Sequence, residues 1–189
     1  MGLIILKKTK RTDSNLLARM AVHYSQPRGF VGRNICYGVW YHSEGDPVYH
    51  GHIVGGSACK NLPGRNEVLP FHLNEIVNNI FFNVSGPYPE RNFTTKVVEL
   101  FETTIRTHWY EKYGDVVRGF ETLVELPRTG ELYRRAGWLE ISQTKGYTCK
   151  RIGGRGTDSW SGKRVWDTKN LRPKRVFVKS VDQTGSIWE

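Results

Sequence analysis

The chain has 189 residues, of which 38% are hydrophobic and 12% aromatic, enough for one domain with a packed core. Its mean hydropathy is −0.51, and no apolar run nears the roughly 20 residues that span a bilayer, so a membrane-spanning helix is not expected. The formal net charge is +10 with a pI near 9.6, which favours a polyanionic partner.

The chain opens with "MGLIILKKTKR". Apolar residues precede basic ones, the reverse of a secretory leader, and the sixth position lacks the Ser or Thr of an N-acylation site. This reads as a cytoplasmic protein. "DSNLLARMAVHYS" then offers Asp13 or Ser14 as a helix N-cap, with Leu16, Leu17, Met20 and Ala21 along one face. "FVGRNICYGVWY" and "PVYHGHIVGGSA" are aromatic and β-branched, joined by "HSEGD", and predict a β-hairpin. "EIVNNIFFNVS" is a further strand, ended by "GPYP".

"TTKVVELFETTIRTHWYEKYG" is the clearest helix. Val97, Val98, Phe101, Ile105 and Trp109 share a stripe, and Gly114 closes it. "VVRGFETLVE" predicts a buried strand, and "RTGELYRRAGW" a short helix stopped by Gly137. "LEISQTKGYTCKRI" and "KRVFVKSVD" are the last strands. Between them, residues 153–173 form a long polar insertion, expected to be basic, flexible and functional. A helix between two central strands requires a parallel pair. The fold class is therefore α+β or mixed α/β around one sheet.

Charge is concentrated late. From Ser142 to Val181 there are eleven Lys and Arg against two Asp, a net of +9. Aromatics are interleaved with these cations, a pattern suited to nucleic acid. The predicted DNA contacts are Lys145, Lys150, Arg151, Arg155, Trp160, Lys163, Arg164, Lys174 and Arg175, with double-stranded DNA as the partner. The three cysteines, Cys36, Cys59 and Cys149, lie far apart and read as reduced thiols. His50 and His52 stand two apart on a strand and so are expected on one face. With His23 they make a candidate three-histidine metal site, weighed against partly exposed strand histidines. Glu125 at a strand end and Tyr133 on the following helix are candidates for one cleft, weighed against an exposed carboxylate and a core tyrosine.

The order of elements is that of the GNAT acyltransferase fold, with a central twisted sheet, flanking helices and, here, a basic C-terminal extension on a single domain over 1–189. Such a fold places a glycine-rich pyrophosphate loop before the long helix. Here that position reads "PERNFTT", where Arg91, Thr94 and Thr95 are the candidates for donor binding or helix capping and an acetyl-CoA-like donor lacks its glycines. "HYS" after the first helix, "RNFTTK", "TLVE" and "GELYRRAGW…TKGY", in this order over residues 14–151, resemble the Mom family of phage DNA-modification proteins, divergent GNAT relatives. The resemblance implies transfer of an acetamido (carbamoylmethyl) group to adenine N6 in DNA, protecting phage DNA from restriction. It implies His23, Tyr24, Glu125 and Tyr133 as the catalytic set, with Glu125 where the family has Asp. Asn78 stands where the family has Arg, which leaves Arg91 to meet an anionic donor. Iron is associated with the family. Two other readings stay open: a GNAT-type N-acyltransferase on a protein or small molecule, and a catalytically silent DNA-binding protein.

Overall fold

The computed structural model describes residues 2–25, 27, 29–152, 163–167, 169 and 171–181. Seven strands form its main sheet: β1 (Leu3–Thr9), β2 (Asn34–His42), β3 (Val48–Ser57), β4 (Ile76–Val84), β5 (Gly119–Glu125), β6 (Leu139–Gln143) and β9 (Lys174–Ser180). In space they run in the order β1-β2-β3-β4-β5-β9-β6. β7 (Thr148–Ile152) and β8 (Lys163–Asp167) pair with each other in a separate two-stranded sheet. The helices are α1 (Ser14–Val22), α2 (Arg65–Val68), α3 (Phe93–Tyr113) and α4 (Glu131–Arg135). None of the described helices is long and apolar enough to cross a membrane.

The predicted hairpin is β2–β3, antiparallel, and the predicted parallel pair is β4–β5 with α3 as crossover. α3 forms where its stripe demands: Val97, Val98, Phe101, Ile105 and Trp109 are all buried, and Gly114 caps the end in the left-handed region. Each such side chain contributes roughly 1.5–3 kcal/mol by leaving water. Gly55 on β3 permits this packing, because a Cβ there would run into Ile105 and Phe101. Strand alternation divides the core. Tyr37, Ile53, Val77, Phe120 and Phe177 face α3 and α4. On the opposite face, α1 covers Cys36, Val54 and Phe81 with Leu16 and Met20, while the segment around α2 covers Ile76, Val176 and Val178 with Leu62 and Leu69. Asp13 caps α1 as expected, accepting from the Leu16 N–H at 3.0 Å. Leu17 is 49% exposed, so the buried face is narrower than predicted.

The structure adds to the sequence reading and corrects it. The N-terminal "LIILKKT", not read as structure, is edge strand β1, paired with β2 over seven residues. "LEISQTKGYTCKRI" is two strands, broken near Gly146, whose φ is 78°. The 153–173 insertion carries a strand, because Lys163–Asp167 is β8 and pairs with Ile152–Thr148. The basic C-terminal segment also does more than extend the chain: β9 inserts between β5 and β6.

Candidate functional site

β4 and β5 pair over only three residues, Ile76↔Gly119, Val77↔Phe120 and Asn78↔Glu121. Beyond them the strands part. A bulge starts the separation: Gly55 pairs with Asn79 and Val54 with Phe81, which leaves Ile80 as the extra residue on β4. Polar side chains satisfy the backbone groups released there. Asn79 Nδ2 donates to Val54 O at 3.0 Å and to Phe81 O at 3.1 Å. The Thr122 hydroxyl donates to Asn79 O at 2.8 Å, in place of the next ladder bond. The gap is a cavity of about 710 Å³. His23, Tyr24 and Cys59 reach it from the α1 side of the sheet, and Thr94, Leu132 and Tyr133 from the α3–α4 side. The cleft therefore passes through the sheet, and two ligands can meet in it from opposite faces.

His23 is the residue that ends α1. It is 7% exposed, with its Nδ1 2.8 Å from Ser25 Oγ and its ring packed at a tilt against Tyr24 and Phe81. Burial holds its pKa below the usual value, and Arg128 adds to this against the opposing effects of the Phe82 backbone and Glu125. At neutral pH it is a neutral imidazole, able to accept a proton. Burial raises the Tyr24 phenol, whose hydroxyl meets the Glu125 backbone. Tyr133 is 4% exposed and packs on Trp138 and Phe177. Its hydroxyl donates to Asn79 Oδ1 at 2.6 Å, and burial drives its pKa up, so it stays a neutral donor. It is thus a core tyrosine and a cleft residue together.

Other expected residues are placed differently. Glu125 is half-buried at the end of β5, opposite Lys174 in the ladder, beside the cavity rather than in its lining. Thr94 lines the cavity, but Thr95 is 7% exposed and turned into the core, and Arg91 is exposed outside the lining. Neither threonine caps α3. Asn92, in the left-handed region, holds the N-cap position without a side-chain bond. Asn78, the residue in place of the family's arginine, is buried in the cavity wall and donates to Cys59 Sγ at 3.2 Å. Cys59 is a free thiol pushed up to about 12 by burial and by Glu121, which makes it a poor nucleophile.

The three-histidine site is not assembled. A β-bulge between Val39 and Trp40 makes His50 the extra residue on β3, so the period of two fails there. His50 packs on Tyr41 and Phe93 on the α3 face, while His52 meets Tyr49 and Asp13 at the start of α1. Both are buried, not the partly exposed strand histidines weighed against the metal reading. Among the described residues no three His, Cys, Asp or Glu side chains form a metal set, so iron has no ligand group there.

Of the predicted DNA contacts, Lys174 lines the cavity and Lys145 is exposed. Arg175 is committed elsewhere, 2.7 Å from Glu140. Lys150, Arg151, Lys163 and Arg164 lie on the β7–β8 ladder, where Arg151 stands opposite Arg164. Arg155 and Trp160 lie outside the described residues. Sequence reasoning passed over Asn79, Thr122 and Arg128. The only signal was the pair of asparagines inside an apolar strand, "IVNNIFF".

No family model matches the chain, and no curated protein does. Solved structures do. A Bacillus subtilis acetyltransferase in complex with CoA aligns with a TM-score of 0.59 at 11% identity, over 95% of this chain and 99% of that one. Arabidopsis thaliana NAA60 in complex with acetyl-CoA aligns at 0.55 and 11%, over 95% and 99%. The aminoglycoside acetyltransferase AAC(6')-Ib in complex with coenzyme A and kanamycin aligns at 0.54 and 12%, over 94% and 95%. Identities this low speak for the fold alone, and with the seven-stranded sheet parted at β4–β5 they make the chain a protein of the GNAT acetyltransferase fold.

Proposed function

We propose that the chain is a GNAT-type transferase that places an acetamido (carbamoylmethyl)-type group on the N6 amine of adenine in DNA. The carrying observation is the through-sheet cleft, with a neutral imidazole on one wall and a buried phenol on the other. The first of these solved relatives holds CoA, and the fold brings that donor class into consideration. The start of α3 fits an anionic donor in one respect, since its N-terminal amides have no side-chain cap and Thr94 faces the cavity. It lacks the glycines that let backbone amides wrap a pyrophosphate. A donor bound there would supply a carbamoylmethyl carbon joined to a leaving group; that bond breaks as the N6–carbon bond forms, the leaving group departs with the rest of the donor, and the chain's own residues handle the proton. Adenine N6 is a weak nucleophile, because its lone pair is delocalised into the ring. His23 takes the proton that N6 sheds as its new bond forms, and Ser25 Oγ holds the ring through Nδ1. In the free protein Tyr133 gives its single proton to Asn79 Oδ1; with substrate bound, the hydroxyl turns that proton to the negative charge developing on the leaving group. The base reaches this depth only when extruded from the duplex. The net charge of +10 and the cavity-facing Lys174 support a nucleic-acid acceptor.

The test is expression in a bacterium followed by nucleoside mass spectrometry of its DNA. A deoxyadenosine heavier by an acetamido group is expected. Unmodified DNA in cells that contain folded protein rejects the reading. A second reading, an N-acyltransferase for a protein or small-molecule amine, is favoured by the solved relatives, one of which holds kanamycin. It predicts acyl-CoA turnover with simple amines and no modified nucleoside.

A further inference from the structure

At the mouth of the cleft four side chains form a column. The Phe81 and His23 rings are 4.7 Å apart, the His23 and Tyr24 rings 4.1 Å, and the Arg128 guanidinium lies 3.6 Å from the Tyr24 ring centroid. The column is buried at one end, where Phe81 is 2% exposed, and open at the other, where Arg128 is exposed. Tyr24 is therefore covered on its outer side by one long, solvent-facing side chain. A guanidinium is a flat, delocalised plate, and 3.6 Å is the separation that two stacked π systems keep. Arg128 thus occupies the place that a planar heterocycle takes against an aromatic ring. Its backbone N–H donates to Glu125 O at 3.2 Å, which holds the turn and leaves the side chain free to swing. Among the described residues no carboxylate lies within ion-pairing distance of Arg128 or of Lys174 on the same cavity. Two cations without a direct carboxylate partner, with Glu125 nearby across from Lys174, leave an excess of positive charge beside an aromatic face, which disfavours a protonated aliphatic amine. They suit a planar ring linked to phosphate.

We propose that the outer face of Tyr24 is a stacking platform for the acceptor's nucleobase, and that Arg128 covers this face in the free protein and clamps the base when it binds. Lys174 then meets a phosphodiester flanking the extruded nucleotide. This rests on the reading of DNA as the acceptor. It adds a role to Tyr24 that needs its ring and not its hydroxyl.

The probe is a short single strand with one 2-aminopurine, whose fluorescence is quenched on stacking, and a matching strand with an abasic residue at that position. Each is titrated into the native chain and into Tyr24→Phe, Tyr24→Leu, Arg128→Lys and Arg128→Gln. Native chain and Tyr24→Phe should bind and quench alike. Tyr24→Leu and Arg128→Gln should bind the 2-aminopurine strand about five- to a hundredfold more weakly, with the quench lost, as expected for one stacked base. Arg128→Lys, which keeps the charge without the plate, should also lose the quench. The abasic strand should bind native chain more weakly and ignore Tyr24→Leu. Because Arg128 is exposed, its variants leave the core intact, so their result stands even if Tyr24→Leu misfolds. Native binding and quenching that survive in both Arg128 variants overturn the platform while leaving DNA as the acceptor. Failure of the native chain to bind either strand overturns the acceptor reading and the platform with it.

Discussion

Glu121 and Arg65 form the most deeply buried ion pair described, at 0% and 3% exposure and 3.1 Å apart. The Glu121 carboxylate also accepts the Cys59 N–H at 2.5 Å, and Arg65 donates to Cys59 O at 2.5 Å. The pair therefore pins the loop after β3 to β5 and sets Cys59 against Asn78 in the cavity wall. Glu121→Gln keeps the shape but leaves the buried Arg65 charge with only neutral acceptors, Cys59 O and Asn66 Oδ1. Breaking a buried pair in this way costs about 3–5 kcal/mol. For a chain of this length each kcal/mol lowers Tm by roughly 2–4 °C, so the expected drop is about 6–20 °C. Replacing both partners together, Glu121→Leu with Arg65→Met, removes the stranded charge and should restore most of the loss. Urea unfolding followed by circular dichroism at pH 7 gives all three values. A loss below about 1 kcal/mol for Glu121→Gln, or a double variant less stable than that single one, refutes the account of this pair as a buried clamp.

Tyr133→Phe should lower nucleoside modification by about 10²–10⁴-fold and cost about 1–3 kcal/mol, since Asn79 Oδ1 loses its donor while the ring packing stays; full activity in this variant, read by mass spectrometry, moves the site elsewhere. Glu125→Ala should lower activity with little change in the melt, because Glu125 stands beside the cleft and half-exposed; a large loss of stability instead assigns it to structure. His52 is 1% exposed and held at about 4, first by burial, then by Asp13 against it and Arg19 with it, with Tyr49 at its Nδ1. The folded chain thus resists a proton that the unfolded chain takes, so stability is full above about pH 6.5 and falls toward pH 4, by on the order of 3 kcal/mol; in His52→Gln that part of the pH slope should vanish, and equal slopes reject the assignment. Arg155→Ala with Lys163→Ala should flatten the salt dependence of duplex binding by about 0.9 for each phosphate no longer neutralised, and an unchanged slope removes both from the interface.

The long helix and the β2–β3 hairpin were legible because their signals are local. α3 repeats its stripe from Val97 to Trp109, over roughly three and a half turns, and "HSEGD" divides two β-rich runs. Topology was less legible. Nothing near Lys174–Ser180 says that this strand enters between β5 and β6, since that choice is made by Val176 and Val178 packing across to Leu62 and Leu69. β1 was missed because a single edge strand has one neighbour and no turn signal of its own. Of the cleft, His23, Tyr24 and Tyr133 do converge, 110 residues apart in sequence at the widest. The histidine pair failed for a reason no spacing rule contains: one inserted residue in β3 turns His50 to the other face. Arg65 and Glu121 were invisible, because buried partners 56 positions apart leave no mark on either stretch.

Three rungs are all that tie β4 to β5, and this affects how the backbone exchanges with solvent hydrogen. Along β4, amides that point to β3 are locked in a ladder, while those that point across the cleft after Asn79 have no strand to meet. Two populations of amide should therefore coexist on one strand, slow and fast in near alternation from Ile80 to Val84. A molecule that lies in the gap and accepts those free bonds acts as an eighth strand for a few residues. Its arrival would erase the alternation. Deuterium uptake over residues 80–84 thus reports occupancy of the cleft directly, before the identity of the occupant is known.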